Sequence, residues 1–164
     1  MDVNSLVQQL AQHLLKKQAR VATAESCTGG GIAEAMTQLA GSSDWFECGW
    51  VTYSNAAKQK FLQINPEFIL LHGAVSEVVV LAMAHNALVL ADVQFSVAVS
   101  GIAGPSGGTE QKPVGTVWIS WATSGENKKV EARAQCFHFA GDRQSVREQA
   151  IQQALLGLIG LLEN

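Results

Sequence analysis

The chain has 164 residues, 48% of them hydrophobic and only 15% charged, with a formal net charge of −3. That balance excludes a disordered polar chain, and with no basic stripe it argues against a nucleic-acid partner. The length suits a single domain, residues 1–164, with a core of its own, and the apolar excess suits elements buried on both faces, as in α/β layers.

Cys27, Cys48 and Cys136 are odd in number and widely spaced. They fit neither a disulfide framework nor a paired-cysteine zinc site, and they suit a reducing compartment. The four histidines are scattered, with no His/Asp/Glu cluster at ligand spacing, so no metal and no cofactor are expected. The opening segment "MDVNSLVQQLAQHLLKKQAR" lacks the basic start and solid apolar centre of a signal peptide, and no apolar run reaches the roughly 20 residues of a membrane span. The expectation is a cytoplasmic protein without a membrane partner.

In chain order, Val3, Leu6, Leu10, Ala11 and Leu14 recur at helical spacing and predict a helix over 3–18, capped by Asp2 or Asn4. Val21 to Glu25 reads as a short buried strand, and Gly29 to Leu39 as a helix closed by Gly41. "WFECGWVTY" predicts a strand ending near Tyr53, and Ser54 caps a helix through Leu62. Pro66 suits a helical first turn, and Ser76 followed by Glu77 opens a further helix. "FSVAVSG" is a strand with Val97 and Val99 on one face and Ala98 on the other. "VGTVWISWA" and "EARAQCFHF" flank the turn-rich "TSGENKK" as an antiparallel hairpin, and Asp142 caps a last helix to about Leu162. This order predicts a single three-layer α/β/α domain with a mixed sheet.

"ATAESCTGGG" places Ser26, Cys27 and Thr28 where a strand ends and a helix is about to begin. Unpaired N–H groups at a helix start can hold a phosphate, or the oxyanion that develops when a serine attacks a carbonyl. The plainer alternative is a capped helix with a tight turn, since the motif is neither a G-x-S-x-G elbow nor a phosphate loop. A serine needs a base. His13, His72, His85 and His138 lie on helices or in an apolar strand with no evident acidic orienter, which leaves a Ser-His-Asp triad without support. In "YSNAAK", Lys58 lies early in a helix, where the dipole and burial both lower a lysine pKa toward general-base range. Tyr53 could relay a proton or donate to the oxyanion. The competing reading is a surface lysine of the kind Lys60 exemplifies. Cys27, at the same helix start, is a rival nucleophile.

"AESCTGG", "GSSDWFECGWVTYSNAAK", "HGAVSE", "SGIAGPSGGTEQKPVGTVW" and "GDRQSVREQA" occur in this order over nearly the whole chain. Together they resemble the CinA C-terminal-domain family in its stand-alone form, the nicotinamide-nucleotide amidases. The resemblance implies a metal-independent serine amidohydrolase of the same layered fold. It would convert nicotinamide mononucleotide and water to nicotinate mononucleotide and ammonia, a salvage step in pyridine-nucleotide and NAD metabolism. By the same resemblance Ser26 is the nucleophile, Tyr53 and Lys58 supply acid–base chemistry, Ser43 is a hydroxyl near the site, and Arg143 faces the anionic substrate. The substrate-binding set then comprises Thr28, Gly29, Gly30, Ser43, Ser100, Gly101, Gly104 and Arg143. Two positions depart from the family pattern: Ser100 stands where threonine is frequent, and Gly31 where a larger residue is usual. In mechanistic terms, neutral Lys58 takes the Ser26 proton directly or through Tyr53, and N–H groups of Cys27–Gly30 hold the oxyanion. The alternative is a non-catalytic nucleotide-binding module, which would have no use for a neutral buried lysine. Trp45, Trp50, Trp118 and Trp121 fit either a core or a homodimer face.

Overall fold

In the computed structural model, which describes residues 1–163, five strands form one mixed sheet covered by helices on both faces. The elements are α1 (Val3–Lys17), β1 (Val21–Glu25), α2 (Gly31–Thr37), β2 (Phe46–Val51), α3 (Asn55–Leu62), α4 (Pro66–His72), α5 (Glu77–Ala91), β3 (Phe95–Gly101), β4 (Thr116–Ser124), β5 (Val130–His138) and α6 (Arg143–Glu163). A 3-10 turn at Ser42–Asp44, absent from the sequence reading, precedes β2.

The sheet order is β2-β1-β3-β4-β5, with β1 parallel to β2 and β3, and β4 antiparallel to both β3 and β5. Residue alternation on β3 divides the core. Val97 and Val99 pack with α1, α2 and α6, while Ala98 joins Ala22 and Ala24 beneath α3, α4 and α5. Leu10, Leu14, Leu155 and Leu158 are fully buried between α1, α6 and the sheet, and each buried leucine contributes roughly 1.5–3 kcal/mol. Trp45 and Trp121 are buried, while Trp50 and Trp118 pack half-buried on the opposite core cluster, so the four share no exposed face. A Cβ on Gly157 would overlap the Trp121 indole, whose N–H donates to the Ala154 carbonyl at 2.9 Å.

The caps follow the sequence signals. Asp2 accepts from the Ser5 N–H, Ser54 from Ala57, Ser76 from Val79, and Asp142 from Ser145. The helix expected over 29–39 is shorter. Gly29 and Gly30 have φ of +60° and +95°, a left-handed conformation that postpones the first helical residue to Gly31.

This topology places the site. From β1 the chain crosses through α2 to β2 on one side, then returns through α3, α4 and α5 to β3 on the other. The carboxyl ends of β1 and β3 thus flank the point where strand order reverses, the usual position of a ligand crevice in such sheets. Among the described residues no helix is long and apolar enough to cross a membrane.

Candidate active site

A cleft of about 260 Å³ opens at that point. Ser26 and Cys27 line it from the end of β1, and Ser100, Gly101 and Gly104 from the end of β3 and the loop after it. Tyr53 and Lys58 come from the β2–α3 segment, Ala74 and Val75 from the α4–α5 turn, and Arg143 from the start of α6.

Ser26 is held by sheet-like pairing, its N–H donating to the Val99 carbonyl at 3.0 Å. The adjoining strand is fixed the same way, with Thr52 N–H on the Glu25 carbonyl at 2.9 Å. Ser54 then starts α3, and one helical turn later Lys58 points back over the end of β1. Its side chain is only 1% exposed. The amine donates to the Thr52 carbonyl at 2.7 Å and lies 3.0 Å from Ser26 Oγ. Among the described residues it makes no ion pair. Burial disfavours the charged form and brings the Lys58 pKa from 10.5 down to about 8. An amine that is neutral part of the time, 3.0 Å from a hydroxyl oxygen, can accept the hydroxyl proton.

The neighbouring Cys27 has the opposite electrostatics. Burial pushes its thiol up to about 11, which leaves it protonated near neutral pH. Of the two side chains, it is Ser26 Oγ that the Lys58 amine contacts, at 3.0 Å.

The phenol expected to relay protons sits elsewhere in the cleft. Tyr53 is 58% exposed, and its oxygen accepts from Arg143 Nη2 at 2.7 Å. Arg143 Nη1 donates to the Gly104 carbonyl at 2.9 Å, so the guanidinium bridges two walls of the mouth. Lys58 reaches Ser26 without the phenol between them. Ser100 Oγ donates to the Ala74 carbonyl at 2.8 Å and ties β3 to the α4–α5 turn. A Cβ on Gly101 would lie 2.6 Å from Val117 Cγ2, so only glycine lets the strand end approach β4 this closely.

The family model of the CinA C-terminal domain matches residues 3–162. The chain belongs to the CinA C-terminal domain family. It is 48% identical over 159 residues to the nicotinamide-nucleotide amidohydrolase PncC of Pseudomonas putida, covering 97% of this chain and 96% of that one. It is 50% identical over 155 residues to the protein of the same name from Escherichia coli K12, covering 94% and 91%. Its structure matches the crystal structure of competence damage-inducible protein A from Klebsiella pneumoniae with a TM-score of 0.94 at 36% identity, over 100% of this chain and 99% of that one. The layered α/β fold with a mixed sheet is therefore that of the CinA superfamily.

Within this CinA domain, Ser26, Tyr53, Lys58, Ser100, Gly101, Gly104 and Arg143 converge on the cleft. Thr28, Gly29, Gly30 and Ser43 do not line it. Thr28 is fully buried, with its hydroxyl donating to Glu25 Oε2 at 2.6 Å. Gly29 N–H donates to the Ser26 carbonyl at 2.9 Å, and Gly30 caps α2 in a left-handed turn. Ser43 lies at the amino end of β1 and β2, where its carbonyl accepts from Arg20 Nη2 at 3.1 Å. Ser26 stands at the carboxyl end of β1, so the sheet separates the two.

The oxyanion expectation changes as well. The open N–H groups of α2 are already used, with Ile32 donating to Glu25 Oε2 at 3.0 Å and Ala33 to Oε1 at 2.9 Å. Of Cys27–Gly30, only Cys27 faces the cleft. Glu25, Ala74 and Val75 are not singled out by sequence. A carboxylate closing an apolar strand was the available signal for the first, and the other two are apolar and carried none.

Proposed function

We propose that residues 1–164 form a nicotinamide-nucleotide amidase domain, which hydrolyses the carboxamide of nicotinamide mononucleotide to a carboxylate and ammonia. The names of the relatives, at about half identity over almost the full chain, support the substrate class. The mechanism rests on one observation: a fully buried lysine, unpaired by any acid among the described residues, 3.0 Å from a serine in the cleft. A module that only binds nucleotides has no need of this arrangement.

Neutral Lys58 accepts the proton of Ser26 Oγ as the oxygen attacks the carboxamide carbon. The negative charge that forms on the carbonyl oxygen faces the turn at Ser26 and Cys27, the part of it that lines the cleft. Lys58 passes its proton to the amide nitrogen, the C–N bond breaks, and ammonia leaves. Water then attacks the Ser26 ester while Lys58 takes its proton, and the acid departs with Ser26 restored. One amine serves both half-reactions because it can carry the proton in either state near neutral pH. Arg143, held by Gly104 and Tyr53, retains free N–H groups for the phosphate of the nucleotide. Tyr53 sets that guanidinium and presents its ring at the mouth.

Ammonia release from nicotinamide mononucleotide tests the reading. Wild type is expected to turn over, and Ser26→Ala to lose about 10³-fold or more. A Ser26→Ala protein that retains near-normal turnover refutes covalent serine catalysis.

A further inference from the structure

We propose that Glu25, together with Thr28 and Arg147, is a positioning clasp that holds the nucleophile turn in its reactive shape. The inference rests on Ser26 being the nucleophile. Glu25 ends β1 immediately before Ser26 and is wholly buried. A buried carboxylate is costly unless its oxygens are fully used. Here Oε2 accepts from Thr28 Oγ1 and the Ile32 N–H, and Oε1 from the Ala33 N–H, at 2.6, 3.0 and 2.9 Å. Gly30, at φ +95° before α2, brings no side chain to cap the helix. The cap is instead supplied by the residue next to the nucleophile, which couples the helix to Ser26.

Thr28 is held at both ends. Its hydroxyl is on Glu25, and its carbonyl accepts from Gly31 N–H at 3.0 Å and from Arg147 Nη2 at 3.1 Å. Arg147 reaches in from α6 and keeps its Nε buried without a partner among the described residues, a cost set against this one contact. Cys27 is then a single residue spanning two fixed points, Ser26 on Val99 and Thr28 in the clasp. The aim of the Cys27 N–H, and the placement of Ser26 Oγ against Lys58, depend on both. Misplacement of reacting groups by about 1 Å can cost roughly 100-fold in rate.

The test uses an arylsulfonyl fluoride as a probe independent of the natural substrate. Ser26 Oγ bonds to sulfur, the S–F bond breaks, fluoride leaves, and the serine proton passes to Lys58. Labelling is mapped to the Ser26 peptide and its rate is expressed per folded molecule, with thermal melting run alongside. Wild type is expected to label at Ser26. Glu25→Gln and Thr28→Val are expected to label roughly tenfold or more slowly, while Thr28→Ser, which restores the hydroxyl, recovers the rate. In turnover, kcat is expected to fall with KM within about threefold. A purely structural role would reduce the folded fraction and leave the per-molecule rate unchanged. If Glu25→Gln does not fold, Thr28→Val and Arg147→Met carry the comparison. Wild-type rates in the folded variants overturn the clasp and leave the nucleophile assignment standing. A wild type unlabelled at Ser26 overturns that assignment, and the clasp with it.

Discussion

Replacing Lys58 by arginine separates charge from proton transfer. The guanidinium can still donate to the Thr52 carbonyl, but it stays charged across the accessible pH range and cannot act as a base. With the Lys58 pKa at about 8, about one molecule in ten holds a neutral amine at pH 7 and about nine in ten at pH 9. An ordinary lysine at 10.5 would be neutral in about one molecule in 3,000 at pH 7. Desolvation thus multiplies the neutral form by about 300 at pH 7. The neutral form accumulates as pH rises through about 8, so kcat/KM should climb about tenfold from pH 7 to 9 and level off above that. Initial rates of ammonia release from nicotinamide mononucleotide over pH 6–9.5 measure this. Lys58→Arg should be about 10³-fold slower at pH 9, with no inflection near 8. An arginine variant within tenfold of wild type, or a flat wild-type profile, would refute general-base catalysis by Lys58.

Because folding lowers the Lys58 pKa, the native state binds fewer protons than the unfolded state between about pH 8 and 10.5. The cost of burying the amine is therefore full below pH 8 and fades as pH rises through that window. Lys58→Met should be more stable than wild type at pH 7 by about 1–3 kcal/mol, a gap that shrinks by pH 10 in denaturant titrations. Arg143→Ala should raise KM for nicotinamide mononucleotide roughly tenfold or more and barely affect the uncharged nucleoside, and equal losses for both would remove the phosphate from Arg143. Tyr53→Phe keeps the ring and loses the oxygen that accepts from Arg143. It should raise KM a few-fold and leave kcat within about tenfold, whereas a 10³-fold fall in kcat would put the phenol in the proton path.

The layers were legible because burial imposes periodicity on sequence. Val97, Ala98 and Val99 announced a strand packed on both faces, and Asp2, Ser54, Ser76 and Asp142 announced helix starts through their own hydrogen-bonding chemistry. The start of α2 was less legible. Glycine accepts helical and left-handed backbone alike, so Gly29 and Gly30 gave no sign that the helix waits for Gly31. Lys58 and Ser26 were identified by type and context, but their contact depends on parallel pairing that brings β2 and α3 back over β1. Ser43 was assigned by its place in a shared motif, which carries order along the chain and not distance in space. Thr28 belongs to the expected binding set by its place in the helix-start turn, and its hydroxyl is occupied by Glu25. The Tyr53–Arg143 contact joins residues far apart in sequence, and no local pattern records it.

In the proposed mechanism Ser26 Oγ becomes covalently bonded to the substrate's acyl carbon. Rapid acid quench of wild type during turnover of nicotinamide mononucleotide, followed by peptide mass mapping, addresses it most directly. An acyl ester is expected on the peptide containing Ser26, and none in Ser26→Ala. An unmodified Ser26 peptide under steady turnover, with Ser26→Ala still releasing ammonia at a comparable rate, would contradict it.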